Sequence, residues 1–527
     1  MPAVVTDQFR IFNANNFIDS LLDNSNNYYV FLGLVNPSPA TIGFGRTDTA
    51  NWPLNPIDNL QNRSHNRDTA LFGKKITAAN VRRVIRKVSW VRNTKYDMYR
   101  HDYSSSNLSP NTQVANLYDT NYYVINSDFR VYVCIDNGST GAPGTETAKG
   151  ENSLDEPVHT DLEPQGGISG DGYLWKYLFT ISPSDIIKFD STEFIVLPND
   201  WPTSTDSSIL DVREAADSRV NSNQIKKVYI EDSGSSSSQA YQEGTNTLDI
   251  LGDGTGGKVS VTVNANGKIT DATVSNGGKN YTYGIVNLKP IQATSTINAV
   301  DRAKLIPIIP PSRGHGFDLY KELGTDKLLV YARFDDSTRD FPTDTKFAQI
   351  SIIKNPTSIG STSTFTANQF SSVNAIKLIT PTGTPSIGEK IEQSVTGGTA
   401  KGYIVSYDTD TNVLKYYQDR SLVFNQTTGD QTDYVGVTTE SKVLAFESSA
   451  NKIIAPVSGF SASVNQNFSG ISTNPTGNKV ISLGVNFENG LANPEINKGS
   501  GEVIYLDNRA TITRNSRQKE DIKIILE

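Results

Sequence analysis

At 527 residues the chain is too long for one hydrophobic core, and three or four domains are expected. Hydrophobic residues make up 36% and charged residues 20%, with 40 glycines and two methionines, which speaks against a helical bundle and for a turn-rich β protein. The net charge of −8, from 48 basic against 56 acidic residues, argues against a general nucleic-acid binder, and the single cysteine, Cys134, excludes an intrachain disulfide.

The N-terminus lacks a basic start followed by an apolar run, so no signal peptide is expected. The apolar run from Tyr28 to Val35 is far short of the roughly 20 residues that span a bilayer. Cysteine usage fits maturation in a reducing cytoplasm.

In chain order, Thr6 or Asp7 caps a first helix whose apolar face is Phe9, Phe12, Phe17 and Leu21, with Ile18 and Leu22 beside it. The helix ends in the cluster Asn24–Asn27, and 28–35 reads as a buried strand. A second helix is expected from Thr77, with Val81, Val84, Ile85 and Val88 as one stripe and Arg82, Arg83, Arg86 and Lys87 on its other side. From Asp128 to Ile135 the period is two: Phe129, Val131, Val133 and Ile135 face one way, Arg130, Tyr132 and Cys134 the other, as in a half-buried strand.

A loop of 136–171 follows, rich in Gly, Pro, Thr and acidic groups, and loops of that length are usually functional or disordered. Gly170-Asp171-Gly172 closes it and starts an aromatic strand, Tyr173, Trp175, Tyr177 and Phe179 sharing one face. Ser182-Pro183 marks a helix start, and Phe194–Pro198 a short strand. Residues 206–300 read as a small β module, with a hairpin turn at Asn266-Gly267 and a second turn at Asn276-Gly277-Gly278. Strands are expected at 328–334 and 347–353, a hairpin at 402–417, and strands at 501–506 and 522–526.

The expected fold is mainly β, with a mixed α/β (α+β) domain formed by N- and C-terminal parts and β-sandwich or barrel-like modules. The domains are drawn as 1–110 with 301–356 and 499–527 (mixed α/β core), 111–205 (β, carrying the loop 136–171), 206–300 (inserted β module) and 357–498 (inserted β module or modules).

The search for chemistry yields little. Gly252-x-Gly254-x-x-Gly257 matches a dinucleotide fingerprint by spacing, but a strand follows it where the phosphate site needs a helix N-terminus. His159 lies in the loop among Asp155, Glu156, Asp161 and Glu163, a set whose residue types could take a divalent ion but which reads first as a solvated acidic loop. His315 reads as a turn residue or subunit contact, and Cys134 as an inert, half-buried thiol. Arg82, Arg83 and Arg86 offer a solvated face or a surface for an acidic protein. Trp52 and Trp201 each precede a proline, in turns that either expose the indole to a partner or pack it inward. No catalytic, cofactor or metal residue is assigned. The candidate interaction residues are Asp155, Glu156, His159, Asp161, Arg82, Arg83, Arg86, Trp52 and Trp201.

Three stretches, in order, carry a likeness. They are Gly170–Ile181 with Ser182-Pro183 and Glu193–Pro198, then Phe347–Pro356, then Gly501–Arg509 with Glu520–Leu526. In these the chain resembles the baseplate wedge subunit, wedge protein eight, of T-even-like contractile-tailed bacteriophages, enlarged by β modules at 206–300 and 357–498. The resemblance implies a structural virion protein of the tail baseplate, assembled in host cytoplasm. It implies a homodimer that joins other wedge subunits and has no catalytic residues, nucleic acid or membrane. Two other readings stay open: a carbohydrate-binding tail protein or adhesin, with Tyr403, Tyr407, Tyr416 and Tyr417 stacking on sugars, and a cell-wall polysaccharide hydrolase.

Overall fold

The computed structural model describes residues 4–34, 56, 58–104, 116–139, 150–234, 240–294, 297–298, 301–335, 345–418, 444–474, 480–513 and 519–527. Trp52 lies outside them. The fold is mainly β, as expected from composition. The chain divides into two compact units, one of Met1–Asn16, Arg82–Leu329 and Ile525–Glu527, the other of Phe17–Val81 and Val330–Ile524.

In the second unit a five-stranded antiparallel sheet runs in the order Gln369–Ser371, Ala70–Ile76, Tyr28–Gly33, Lys346–Lys354, Glu502–Thr513. Its central strand, Tyr28–Gly33, is buried along its whole length, which explains a continuous apolar run in place of alternation. Tyr29 and Phe31 pack with Ile353, Phe365, Phe370 and Ile496. The Tyr29 hydroxyl donates to the carbonyl of Ala367 at 2.8 Å.

A closed six-stranded barrel stands in the same unit. Its strands follow one another as Val413–Tyr417, Gly398–Asp408, Lys390–Val395, Ile453–Ala455, Phe460–Val464 and Asn374–Thr382, and the last pairs back to the first. Ile376, Leu378, Ile391, Ile404, Leu414 and Phe460 fill it. The hairpin expected at 402–417 forms two of its staves, with Asp408 opposite Val413. Tyr403, Tyr416 and Tyr417 are buried here, Tyr403 stacked on Tyr417 at 5.5 Å and Tyr416 edge-on to Phe446 at 4.7 Å. Three of the four tyrosines considered for sugar stacking are thus packing residues, and the fourth, Tyr407, is half-buried and edge-on to Phe460 at 5.4 Å.

The first unit carries a three-stranded sheet, Tyr123–Ile125, Arg130–Asn137 and Tyr173–Thr180, and a four-stranded one in the order Ile269–Lys279, Thr255–Val263, Gly244–Gly252, Gly284–Val286. The helix Pro183–Phe189 begins as expected, with the Ser182 hydroxyl accepting from the Asp185 N–H at 3.2 Å and proline in the first turn.

Several expectations are corrected. The segment after Thr77 forms one short 3-10 turn, Ala78–Asn80, and then the strand Val81–Arg86, paired with Phe194–Val196. Its β-branched residues fit a helical stripe by spacing and a strand by preference, and burial on both faces decides for the strand. The first helix, Asp7–Leu22, turns the other way: Ile11, Ala14 and Ile18 are buried, while Phe9 and Phe12 are 53% and 57% exposed. Asn276-Gly277-Gly278 is no turn but lies inside Ile269–Lys279. A Cβ on Gly277 would stand 2.3 Å from the carbonyl oxygen of Ile225, so glycine serves close approach of two backbones there. The strand Arg130–Asn137 is buried on both faces, and Cys134 with it. Helices Leu60–Asp68 and Ser207–Ala216 were not foreseen.

A gripped arm as candidate interaction site

The loop between Asn137 and Tyr173 is described at residues 138–139 and 150–172, and its second stretch lies against the three-stranded sheet. Its two ends meet. A Cβ on Gly172 would fall 2.7 Å from the Cα of Gly138, and one on Gly138 would fall 2.3 Å from the carbonyl oxygen of Asp171, so both positions demand glycine, each also at positive φ. The Asp171 carboxylate accepts from the N–H groups of Leu154 at 2.7 Å and Tyr173 at 3.0 Å. The loop thus leaves and re-enters the sheet at a fixed neck. Beside that neck is an open cleft of about 660 Å³, with Asp136, Glu151, Asp171, Asn93 and Lys227 on its walls.

Beyond the neck, side chains of the sheet hold the main chain of the arm. Asn126 donates to the carbonyl of Pro157 at 2.9 Å, Arg130 to that of Val158, the Tyr132 hydroxyl to that of His159 at 2.6 Å, and the Lys176 ammonium to that of Leu162 at 2.6 Å. Gln165 and Trp175 exchange both backbone hydrogen bonds at 2.9 Å. Ser153 is bridged to Thr94, and its hydroxyl accepts from the Trp90 indole at 3.0 Å. With its carbonyls gripped from one side, the arm turns Val158, Thr160, Asp161, Leu162 and Ile168 outward.

The acidic residues of the loop do not converge. Asp155 accepts the Ser169 N–H at 2.7 Å, and hydrogen bonding from Ser169 holds its carboxyl below the usual range. Glu156 accepts the Ser127 N–H at 2.7 Å, and Glu163 pairs with Lys226 at 2.5 Å. Asp161 is exposed, 3.9 Å from His159 Nδ1. His159 lies edge-on to Tyr132 at 5.4 Å with Nε2 3.1 Å from the Trp175 carbonyl, so the proton resides on Nε2. Burial lowers the affinity of this imidazole for a second proton. Among the described residues no three His, Cys, Asp or Glu side chains are placed to hold a metal ion.

Arg82, Arg83 and Arg86 do not form a free basic face. Arg82 pairs with Asp185 at 2.8 Å and lies over the Phe189 ring. Arg83 is buried, donating to Asn15 at 2.8 Å with its guanidinium 4.0 Å from the centre of the Tyr320 ring. Arg86 donates to the Asn121 side chain and to the carbonyls of Asp119 and Thr120. Trp201 took the inward of its two alternatives: it is fully buried, with its indole N–H 3.2 Å from the carbonyls of Gly316 and Phe317. His315 is likewise internal, its Nδ1 2.6 Å from Glu322. The structure therefore brings Asp155, Glu156, His159 and Asp161 together on one arm and sets the arginines and Trp201 apart as internal ties.

Sequence reasoning missed Lys176 and Ile168. Lys176 carried a signal, since a lysine inside a buried aromatic strand needs a carbonyl or carboxylate to receive its charge. Ile168, in Gly166-Gly167-Ile168-Ser169-Gly170, looked like ordinary loop.

Residues 145–279 match the family model Phage-Gp8, described as Bacteriophage T4, Gp8. The matched span contains the whole described arm, the strand Tyr173–Thr180 and most of the four-stranded sheet. Comparison with curated proteins gives no match.

Proposed function

We propose, from the match of residues 145–279 to the bacteriophage T4 Gp8 family, that the chain is a structural protein of the phage tail baseplate, a wedge subunit that dimerises, joins neighbouring wedge proteins and follows the baseplate through its change of shape. The observation that carries the reading is the family match falling on an arm whose carbonyls at Pro157, Val158, His159 and Leu162 are held from within while Val158, Thr160, Asp161, Leu162 and Ile168 are exposed. Such an arm suits recognition between proteins. No reaction is assigned: His159, His315 and Cys134 are each engaged in packing or internal hydrogen bonds. The role is mechanical, exercised through interfaces, and assembly takes place in the host cytoplasm. We further propose that the segments 206–300 and 357–498 are additions to a smaller wedge fold.

Two measurements test this. Sedimentation of the purified chain should give a stable dimer, and a tight trimer would favour a fibre or receptor-binding protein instead. Removing residues 140–165 should abolish association with the other wedge proteins, and unchanged wedge assembly would count against the arm as a contact surface.

A further inference from the structure

We infer that the arm docks through Ile168 as a knob, and that its receptor is a protein pocket that is apolar inside and rimmed by lysine or arginine. The inference rests on the wedge reading and sharpens it to one side chain and one partner chemistry.

Ile168 is fully exposed, the most exposed large apolar side chain among the described residues. Its loop is held in one shape. Asp155 bonds the Ser169 N–H from across the turn, and a Cβ on Gly167 would lie 2.1 Å from the same carboxylate. Gly170 has a φ of +73°, with nothing within 4 Å of where its Cβ would be. The isoleucine is thus displayed on a narrow, glycine-flanked tip with room for a receptor to close around it. Val158 and Leu162 add apolar surface on the same arm, 55% and 38% exposed. A side chain presented on a rigid tip loses little conformational freedom on docking, which is the economy of a preorganised anchor.

Charge selects the partner. From Glu151 to Asp171 the arm holds Glu151, Asp155, Glu156, Asp161, Glu163 and Asp171, with no lysine or arginine. Asp161 stands 66% exposed, while Glu163, 51% exposed, is paired with Lys226. This field repels nucleic acid and anionic lipid and attracts a basic protein surface.

The test uses the full chain co-expressed with the other baseplate proteins of the same phage. A photo-reactive benzoyl-phenylalanine replaces Ile168, and complexes are read by mass spectrometry and sedimentation. The expected result is a cross-link from position 168 to one identified baseplate protein, at an apolar pocket flanked by Lys or Arg. Ile168→Asp should weaken the complex by about ten-fold or more, with thermal stability unchanged, and Ile168→Leu should restore it. Added salt should weaken the wild-type complex. If the wild-type chain assembles and Ile168→Asp assembles equally well, or the cross-link reaches only a second copy of this chain, the inference is overturned while the wedge reading stands. If the wild-type chain joins no baseplate protein, the wedge reading itself falls, and the inference with it.

Discussion

The ammonium of Lys176 lies in the strand Tyr173–Thr180 with 3% exposure, and burial brings its pKa down to about 8. Among the described residues it donates to the carbonyl of Leu162 on the arm. The unfolded chain holds this proton to about pH 10.4. Below pH 8 both states are protonated, and the folded state bears the full cost of the buried charge. Between about pH 8 and pH 10 the unfolded state binds more protons, so this group makes stability rise with pH. Lys176→Met should remove that rise, seen as a flatter curve of unfolding free energy against pH in urea titrations. The same variant should raise amide exchange in residues 159–166, because Leu162 loses its anchor. Alternation in the sequence placed Lys176 with Leu174 and Leu178, but periodicity cannot say what covers a face. The covering element here is a loop held by side-chain to backbone bonds, and those leave no pattern in the sequence of the loop.

Helix Asp7–Leu22 illustrates the element scale. Phe9 and Phe12 are, with the half-buried Phe17, its largest apolar residues, and a reading weighted by side-chain size puts them inside. The smaller set Ile11, Ala14 and Ile18 has the i, i+3, i+7 spacing that matches the buried face. Ile18→Ala should cost about 2–5 kcal/mol in chemical denaturation. Phe9→Ala and Phe12→Ala should each stay within about 0.5 kcal/mol. Equal losses at all three positions would restore the original face. In the barrel, Glu389 is buried near the turn at Ser458. Burial raises its pKa, but the N–H groups of Ser386 and Ser458, at 3.1 and 2.6 Å, outweigh this and leave it below the ordinary value. A depressed carboxyl gives stability that is present above its unfolded pKa and lost as pH falls through the folded one. Glu389→Ala should cost about 1–3 kcal/mol at neutral pH, and that difference from wild type should shrink below about pH 4. Strands were legible because their period or apolar run is long, as at Tyr28–Gly33 and Val413–Tyr417. The strand Val81–Arg86 was not: Val81, Val84 and Ile85, with Val88 beyond it, keep helical spacing, and the burial of Arg83 against Asn15 and Tyr320 is tertiary information.

At the scale of the whole molecule, separate hydrophobic clusters lie in separate parts of the chain, one around Val259 and Val261 and another around Ile404 and Leu414. Unfolding should therefore depart from two-state behaviour, with a calorimetric enthalpy above the van't Hoff enthalpy in scanning calorimetry. A ratio of one would mean that these cores melt as a unit. Composition and turn spacing were enough to show a mainly β chain. They could not show that six of its strands close on themselves, because closure rests on pairing between Asn374–Thr382 and Val413–Tyr417, and the registers that make it are long-range. The arm was visible as a long acidic loop. Its fixed path was not, since that comes from Arg130, Tyr132 and Lys176 in neighbouring strands and Asn126 in the turn between two of them.

The barrel joins the five-stranded sheet through the strand Gln369–Ser371 and a return at Glu495. Ser371 and Glu495 are hydrogen-bonded both ways, Glu495 N–H to the Ser371 carbonyl at 2.9 Å and Ser371 N–H to the Glu495 carboxylate at 2.6 Å. Beneath them Lys346–Lys354 and Glu502–Thr513 are laddered neighbours. The intervening stretch is a cassette with touching ends. Closing a loop grows more costly only slowly with its length, so cassettes of very different size can be seated on the same two strands. A reporter domain whose own termini adjoin could be exchanged for the barrel at this junction, giving a chain that carries a label at a known place.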